Sequence, residues 1–199
     1  EWERCRTTPR RLTPSILAES RPRTMTIPPG SVTERDADHG RLVGICAHAV
    51  LEQWDFGRPR MEIRPVIEQT CRRYVAHDHP EMLADVTEDL TAVFEHFLSS
   101  EPYKRLQRAT VLGREIPFAM PFGKGQLMDG VIDLIFRLDG WIWIADYKTD
   151  DVTAEEVRAR ADRYRPQAEI YSKAVASALA LPSLSFQFIF LRPGVAVDV

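Results

Sequence analysis

The run Gly130-Val131-Ile132-Asp133, followed by a hairpin and then Ala145-Asp146-Tyr147-Lys148-Thr149, constrains this chain more than any other stretch. Ile132 to Leu138 and Trp141 to Ala145 are apolar, β-branched or aromatic, and Asp139-Gly140 between them suits the positive-φ positions of a tight turn. Two adjacent antiparallel strands follow from that pattern. Side chains alternate faces along a strand, so Asp146 and Lys148 share one side while Tyr147 points away. The hairpin carries Asp133 towards Asp146, and two carboxylates and an ammonium meet at the edge of an otherwise greasy sheet. Carboxylates that close repel each other unless a proton or a cation lies between them, and a hard divalent ion such as Mg²⁺ favours such an oxygen-rich setting. The plain alternative is a salt-bridged hairpin whose Asp146 and Lys148 face solvent. Lysine is scarce, however: only Lys104, Lys124, Lys148 and Lys173 occur among 26 basic residues, so a compact ammonium at position 148 stands out against an arginine background.

Three further segments bear on the same chemistry. Gly44-Ile-Cys-Ala-His48-Ala-Val-Leu-Glu52 reads as helix, with His48 and Glu52 on one face. Arg114-Glu115-Ile116-Pro117-Phe118 reads as strand. Gln167-Ala-Glu-Ile-Tyr171 places Gln167 and Tyr171 one helical turn apart. Together with Gly-Val-Ile-Asp and Asp-Tyr-Lys-Thr, and in this order, they resemble the PD-(D/E)XK nuclease superfamily, in the branch shared by the RecB and AddA nuclease domains. The resemblance runs from about Leu12 to the C-terminus.

That resemblance implies a fold and a site. The fold is α/β, a central mixed β-sheet flanked by helices around a restriction-endonuclease-like core. The catalytic residues are Asp133, Asp146 and Lys148. The metal ligands are His48, Asp133, Asp146 and the backbone carbonyl of Tyr147, holding Mg²⁺ or Mn²⁺. Lys148 positions or polarises the attacking water and offsets charge on the scissile phosphate. The activity implied is hydrolysis of DNA phosphodiester bonds, as an exonuclease acting in DNA repair or recombination. Its partners are DNA, taken as single strands, a helicase motor domain in the same parent chain and a second subunit. Some relatives hold an iron–sulfur cluster with four cysteines; with three cysteines here, none is expected. Glu115 faces the site or is an exposed strand residue; both readings stand. Gln167 and Tyr171 support the site or touch DNA, the alternative being a packed helix face. His48 is a ligand or a core histidine, and Glu52 a supporting partner. His77, Asp78 and His79 read as a solvated helix end. A nuclease-like scaffold that binds DNA or a partner without cleaving is the second functional reading, and a free-standing nuclease of a CRISPR or phage system the third.

Bulk properties agree with one domain of 199 residues and a sizeable core, at 44% hydrophobic and 28% charged. A net charge of −3 gives no global attraction to nucleic acid, so DNA affinity must come from a local patch or from partner domains. Cys5, Cys46 and Cys71 are too far apart for a Cys-x-x-Cys metal or redox motif, and an odd, sparse count suits a reducing cytoplasm, with Cys46 and Cys71 buried. No apolar run reaches membrane-spanning length and no signal peptide is visible. The chain opens with Glu1 and ends at Val199 just after an apolar strand, so it is expected to be a piece of a longer polypeptide, truncated at its C-terminus. It carries no Gly-x-x-x-x-Gly-Lys-Ser/Thr loop; an ATP-driven motor belongs outside it.

Residues 1–39 contain five prolines and read as a linker or extended segment, with a short helix starting after Leu12; residues 40–199 form the nuclease domain. Helices are expected over 41–56, 63–77, 80–98 and 154–179, the last kinked or broken at Pro166. Strands are expected over 110–120, 128–138, 141–147 and 184–191. Large apolar residues on both faces of 141–144 place Trp141 and Trp143 in a core or between domains.

Overall fold

The apolar hairpin becomes the centre of a six-stranded mixed sheet. The coordinates are those of a computed structural model that describes residues 10–14, 34–123, 126–181 and 183–199. In chain order the strands are β1 (Arg10–Leu12), β2 (Thr110–Phe122), β3 (Gln126–Leu138), β4 (Trp141–Lys148), β5 (Ser185–Phe190) and β6 (Val195–Asp198). The helices are α1 (Glu34–Gln53), α2 (Ile63–Tyr74), α3 (Leu83–Phe97), α4 (Glu101–Gln107) and α5 (Val157–Leu179). β2, β3 and β4 form an antiparallel meander; β5 runs parallel to β4, α5 makes the crossover between them, and β6 pairs antiparallel with β5. This is the α/β arrangement expected, a mixed sheet flanked by helices.

Each face of the sheet has its own core. Leu134, Phe136, Leu138, Ala145, Tyr147, Ile189 and Leu191 pack against α1 to α4, with Trp54, Phe94, Phe97 and Tyr103 among the fully buried rings. Ile135, Ile144, Phe186, Phe188 and Phe190 pack against α5 through Val157, Ala161, Ala168, Tyr171 and Val175. Two of the polar rings inside the helical core are paired: the Trp54 indole donates to the Tyr103 hydroxyl at 3.0 Å, and that hydroxyl donates to the Phe56 carbonyl at 3.2 Å.

The edge of β3 is shared. β2 runs along one side, from Gln126 to Arg137; on the other, β1 covers Gln126 to Met128 and β4 covers Leu134 to Leu138. Among the described residues, 129–133 therefore have no strand partner on that side. The alternation of side chains also breaks there, since Ile132 faces the α5 core while Leu134 faces the α1–α4 core. The strand opposite is irregular at the same level. β2 shifts register between Val111 and Gly113, and Glu115 has φ 46°, a left-handed conformation that costs a non-glycine residue about 1–2 kcal/mol.

Several details differ from the sequence reading. α5 runs through Pro166 without a break; the proline removes one N–H donor, and packing of the helix on the sheet outweighs that loss. α4 lies outside the helices expected from periodicity, although Ser100 caps it by accepting the Tyr103 N–H at 3.3 Å and Pro102 lies in its first turn. β6 and β1 likewise lie outside the strands expected from the sequence. Trp141 is 59% exposed rather than buried, because the hairpin tip, turned by Asp139 (φ 50°) and Gly140 (φ 84°), lies past the helices that cover the strand centre. Its neighbour Trp143 is half-buried under the Arg105 guanidinium, 3.9 Å from the ring centroid. α1 starts at Glu34, inside the segment read as linker. The short helix expected after Leu12 lies, beyond Pro14, outside the described residues, as does Cys5.

The C-terminus of α5 supplies a test of these energetics. Ala180 ends the helix in the left-handed region, at φ 51°, where glycine is the usual residue. Ala180→Gly is expected to raise unfolding stability by about 1 kcal/mol. Denaturant melts of the two proteins would read it as a higher midpoint at unchanged slope.

Candidate active site

The irregularity in the sheet brings together the residues singled out in the sequence. β3 and β4 are paired as far as Leu134 and Ala145; one step further Asp133 and Asp146 would face each other, and there the ladder stops. The Tyr147 N–H, no longer matched by β3, donates to the Asp133 Oδ2 at 2.7 Å. A side chain thus replaces a strand carbonyl and is held with it. Asp133 and Asp146 are 6% and 2% exposed, so neither is the solvent-facing strand residue of an ordinary surface salt bridge.

Two groups of contacts meet at this point. In the first, His48 Nδ1 lies 3.5 Å from Glu115 Oε1 and 3.6 Å from Asp133 Oδ1. One donor atom from each of His48, Glu115 and Asp133 falls within 4.8 Å of the other two, close enough to share one ion. In the second, Asp146 Oδ2 lies 2.8 Å from the Lys148 ammonium, while its Oδ1 accepts from the Gln167 amide at 2.7 Å. Gln167 also accepts from Lys148 at 2.9 Å and donates to the Tyr171 hydroxyl at 3.1 Å. The Tyr171 ring packs edge-on against Phe118, their centroids 5.5 Å apart.

Each element has a reason for its place. His48 projects from α1 towards the sheet, and its ring meets that of Tyr147 edge-on. Gly44, one turn earlier, faces the end of β4: a Cβ there would stand in van der Waals contact, 3.4 Å from the Thr149 hydroxyl. The end of β4 is tied down from outside. Arg192, just after β5, grips Asp89 of α3 with two hydrogen bonds of 2.7 and 2.6 Å and donates to the Thr149 carbonyl at 3.0 Å. The strand carrying Asp146 and Lys148 is therefore anchored to the same helical layer as His48.

The electrostatics are strained in the way a cation would relieve. Burial raises the Asp133 pKa above the usual carboxylate range, and the charge on Asp146 adds to the effect; His48 and the Tyr147 N–H offset it only in part. For His48, burial opposes protonation, but the hydrogen bond to Glu115 and the charges of Asp133, Asp146 and Glu115 outweigh it and raise its pKa to about 9. Of the three carboxylates whose charges act on His48, those of Glu115 and Asp133 form with its imidazole a donor set suited to a divalent cation, and Asp146 adjoins it, with oxygen ligands favouring Mg²⁺ or Mn²⁺. Asp146 Oδ2 is buried and makes no well-directed hydrogen bond, despite its short ion pair with Lys148, and so has a lone pair to offer.

All the candidate residues are thus accounted for. His48, Glu115 and Asp133 form one cluster, and Asp146, Lys148, Gln167 and Tyr171 the adjoining one. Tyr147 lends its N–H and buries its ring in the helical core. Glu52 is exposed and outside both. His77 and Asp78 are a solvated pair, 96% and 74% exposed. Tyr164 and Asp150, which lie outside the candidates read from the sequence, complete the surroundings of Lys148. The Lys148 ammonium lies 4.0 Å from the Tyr164 ring centroid, and the Tyr164 hydroxyl donates to Asp150 at 2.9 Å. The spacing held a clue, since Tyr164 is three residues before Gln167 and seven before Tyr171, on one helix face.

The shifts on His48 and Asp133 act on stability in the same direction. His48 stabilises the fold fully below about 6.5 and loses that contribution as pH rises through about 9. Asp133, whose pKa is raised from 3.8 to about 8, also costs stability as pH rises, over the interval between those two values. The metal-free protein is expected to lose melting temperature between about pH 6.5 and 9. Asp133→Asn should melt higher than wild type at the alkaline end and show a shallower decline, because it removes the buried charge and keeps an acceptor for Tyr147. A wild-type melting temperature that rises over this interval would show that the cluster is not charged as described.

Comparisons with known proteins bear on the family to which the chain belongs. The family model of the PD-(D/E)XK nuclease superfamily matches residues 23–193. Among curated proteins, the chain is 27% identical over 173 residues to an ATP-dependent helicase/nuclease subunit from Lacticaseibacillus casei, covering 79% of this chain and 14% of that protein. It is 30% identical over 137 residues to the protein so named from Anoxybacillus flavithermus, and 26% over 147 residues to that from Acetivibrio thermocellus, each alignment covering 66% of this chain and 11% of the relative. The chain therefore spans only 11–14% of the length of these relatives. With a matching family model over most of its length and the acidic pair and lysine converging where β3 and β4 part, the chain belongs to the PD-(D/E)XK nuclease superfamily.

Proposed function

We propose that this chain is a metal-dependent deoxyribonuclease domain that hydrolyses DNA phosphodiester bonds. The observation that carries the reading is the buried meeting of Asp133, Asp146 and Lys148 beside His48 and Glu115. His48, Asp133 and Asp146 would hold Mg²⁺ or Mn²⁺, with the Tyr147 carbonyl as a further oxygen and Glu115 in reach of the same position. A bound divalent ion supplies Lewis acidity towards a phosphoryl oxygen and makes water a better nucleophile at neutral pH.

The chain's own residues supply the rest. Lys148 places a positive charge where negative charge accumulates on the scissile phosphate, in a site where water is largely excluded and such a charge counts for most. Its side chain is only 15% exposed. Asp146 and Gln167 aim that ammonium, and Tyr171 holds Gln167. His48 and Asp133 each hold a proton more tightly than usual and must give it up for a cation to bind, so cation binding should strengthen with pH.

The wider setting is proposed on the relatives. Residues 40–199, together with the start of α1 from Glu34 and strand β1, would be the nuclease domain and the rest of 1–39 a linker, within a RecB/AddA-like helicase–nuclease. Single-stranded DNA would be fed to it by the motor, and a second subunit would be its partner. The result would be exonucleolytic cleavage in cytoplasmic DNA repair or recombination. The names of the relatives combine a helicase and a nuclease, and the net charge of −3 fits a domain that receives DNA from elsewhere.

The test is a Mn²⁺ and Mg²⁺ titration read by melting temperature and by cleavage of single- and double-stranded DNA. Wild type should gain about 2.7 kcal/mol of stability at a hundredfold excess over the dissociation constant. Lys148→Ala should keep that gain and lose about 10²–10³ in cleavage rate. Asp146→Ala should lose both. Cation binding without cleavage of either DNA would instead support the inactive scaffold, and no response to any divalent ion would end the proposal.

A further inference from the structure

The Lys148 ammonium has polar partners and aromatic ones, and they respond differently to a cation. Asp146 Oδ2 is 2.8 Å away and Gln167 Oε1 accepts at 2.9 Å, while Gln167 itself donates to Asp146 Oδ1 at 2.7 Å. Both polar contacts thus hang on Asp146. A divalent ion that draws on this carboxylate withdraws the lysine's counter-charge and loosens the glutamine that aims it. The aromatic contacts are independent of Asp146. Nζ lies 4.0 Å from the Tyr164 ring centroid, well inside the ~6 Å range of a cation–π contact, and 5.6 Å from that of Phe188.

Tyr164 is itself immobilised. Its hydroxyl donates to both oxygens of Asp150, at 2.9 and 3.2 Å, and Arg160 Nη1 holds the same carboxylate at 3.4 Å. Its ring leans on Phe188 of β5, with centroids 5.7 Å apart. A hydroxyl that donates to a carboxylate also enriches its ring in electron density, which strengthens the attraction of the ring face for a cation. Asp150 follows Lys148 by two residues, so the anchor of the ring and the lysine it faces belong to one short stretch of chain.

We propose that Tyr164, anchored by Asp150, is a positioning residue that keeps the Lys148 ammonium over the site when Asp146 is drawn to a divalent cation. The consequence for cleavage rests on the nuclease function proposed above; the placement of the ammonium does not. If Tyr164 only packed against Phe188, leucine would serve as well as phenylalanine, and Lys148 would not register the change.

The four lysines make the question accessible to NMR on the intact chain with isotopically labelled lysine. Protons above a ring face are shifted upfield. One lysine ε-methylene is expected upfield of the others in wild type, and Lys148→Arg, which abolishes that signal, assigns it. The shift should weaken in Tyr164→Phe, which keeps the ring and drops its hydroxyl anchor, collapse in Tyr164→Leu and survive addition of Mg²⁺ to wild type. In parallel, kcat for DNA cleavage should fall by up to about 10²-fold in Tyr164→Leu, with KM and the Mg²⁺-induced rise in melting temperature unchanged, and Tyr164→Phe, which keeps the ring, should retain part of what leucine loses. Asp150→Asn, which keeps the ring and loosens its anchor, should weaken the upfield shift, and it serves if the leucine variant does not fold. An upfield signal that survives in Tyr164→Leu, that is lost from wild type in Mg²⁺, or that is unaltered in Asp150→Asn overturns the proposal. A wild type that shows the signal but cleaves no DNA refutes the nuclease reading and leaves the placement of Lys148 by Tyr164 supported.

Discussion

Where the β3–β4 ladder ends, the Asp133 carboxylate takes the Tyr147 N–H at 2.7 Å, and the geometry of the site depends on that bond. Without it the end of β4 would expose a buried donor, whose loss costs about 1–3 kcal/mol. With it, two strands that have parted stay in register by way of a side chain. The side chain is thereby committed to a dry location beside Asp146, where a carboxylate is poorly tolerated as an anion. Structural need and chemical tension thus reside in one residue. This explains why Asp133→Asn is expected to favour the metal-free fold while removing what a cation would bind.

The surrounding charges are arranged as two half-sites that share this tension. His48 and Glu115 flank Asp133; Lys148 and Gln167 flank Asp146. Either half alone would be an ordinary ion pair. Side by side, with the two aspartates at 6% and 2% exposure, they concentrate three carboxylates around a single imidazole and a single ammonium. The left-handed backbone at Glu115 lies on the strand opposite Asp133, where the sheet alternation also breaks. That strain turns the Glu115 carboxylate towards His48 instead of leaving it on a regular strand face.

Rigidity comes from further away. Arg192 links Asp89 of α3 to the Thr149 carbonyl, and the Leu191 N–H donates to the Lys148 carbonyl at 2.8 Å. The strand that carries Asp146 and Lys148 is therefore held by β5 and by the helical layer at once. On the opposite face, α5 sets Gln167, Tyr171 and Tyr164 on one side of a helix that Pro166 does not interrupt. Lys148 lies between a wall of aromatic rings and a carboxylate, and these two supports differ in how they answer a cation.

The amino-acid sequence by itself determined the elements with a clean period. Alternation of apolar residues and Asp139-Gly140 specified the hairpin, and with it the approach of Asp133 to Asp146 and the common side of Asp146 and Lys148. Helical spacing placed His48 on α1 and joined Gln167 to Tyr171. The tertiary structure decided what depends on register, strain and partners distant in the chain. Glu115 was undecidable from sequence because its direction follows from a register shift and a positive φ. The tolerance of Pro166 and the exposure of Trp141 depend on which neighbouring elements cover them. Tyr164 meets Lys148 only because α5 crosses back over β4, a contact that no local pattern encodes. Periodicity is written in neighbouring residues, whereas burial, strain and charge compensation arise only once distant segments have packed.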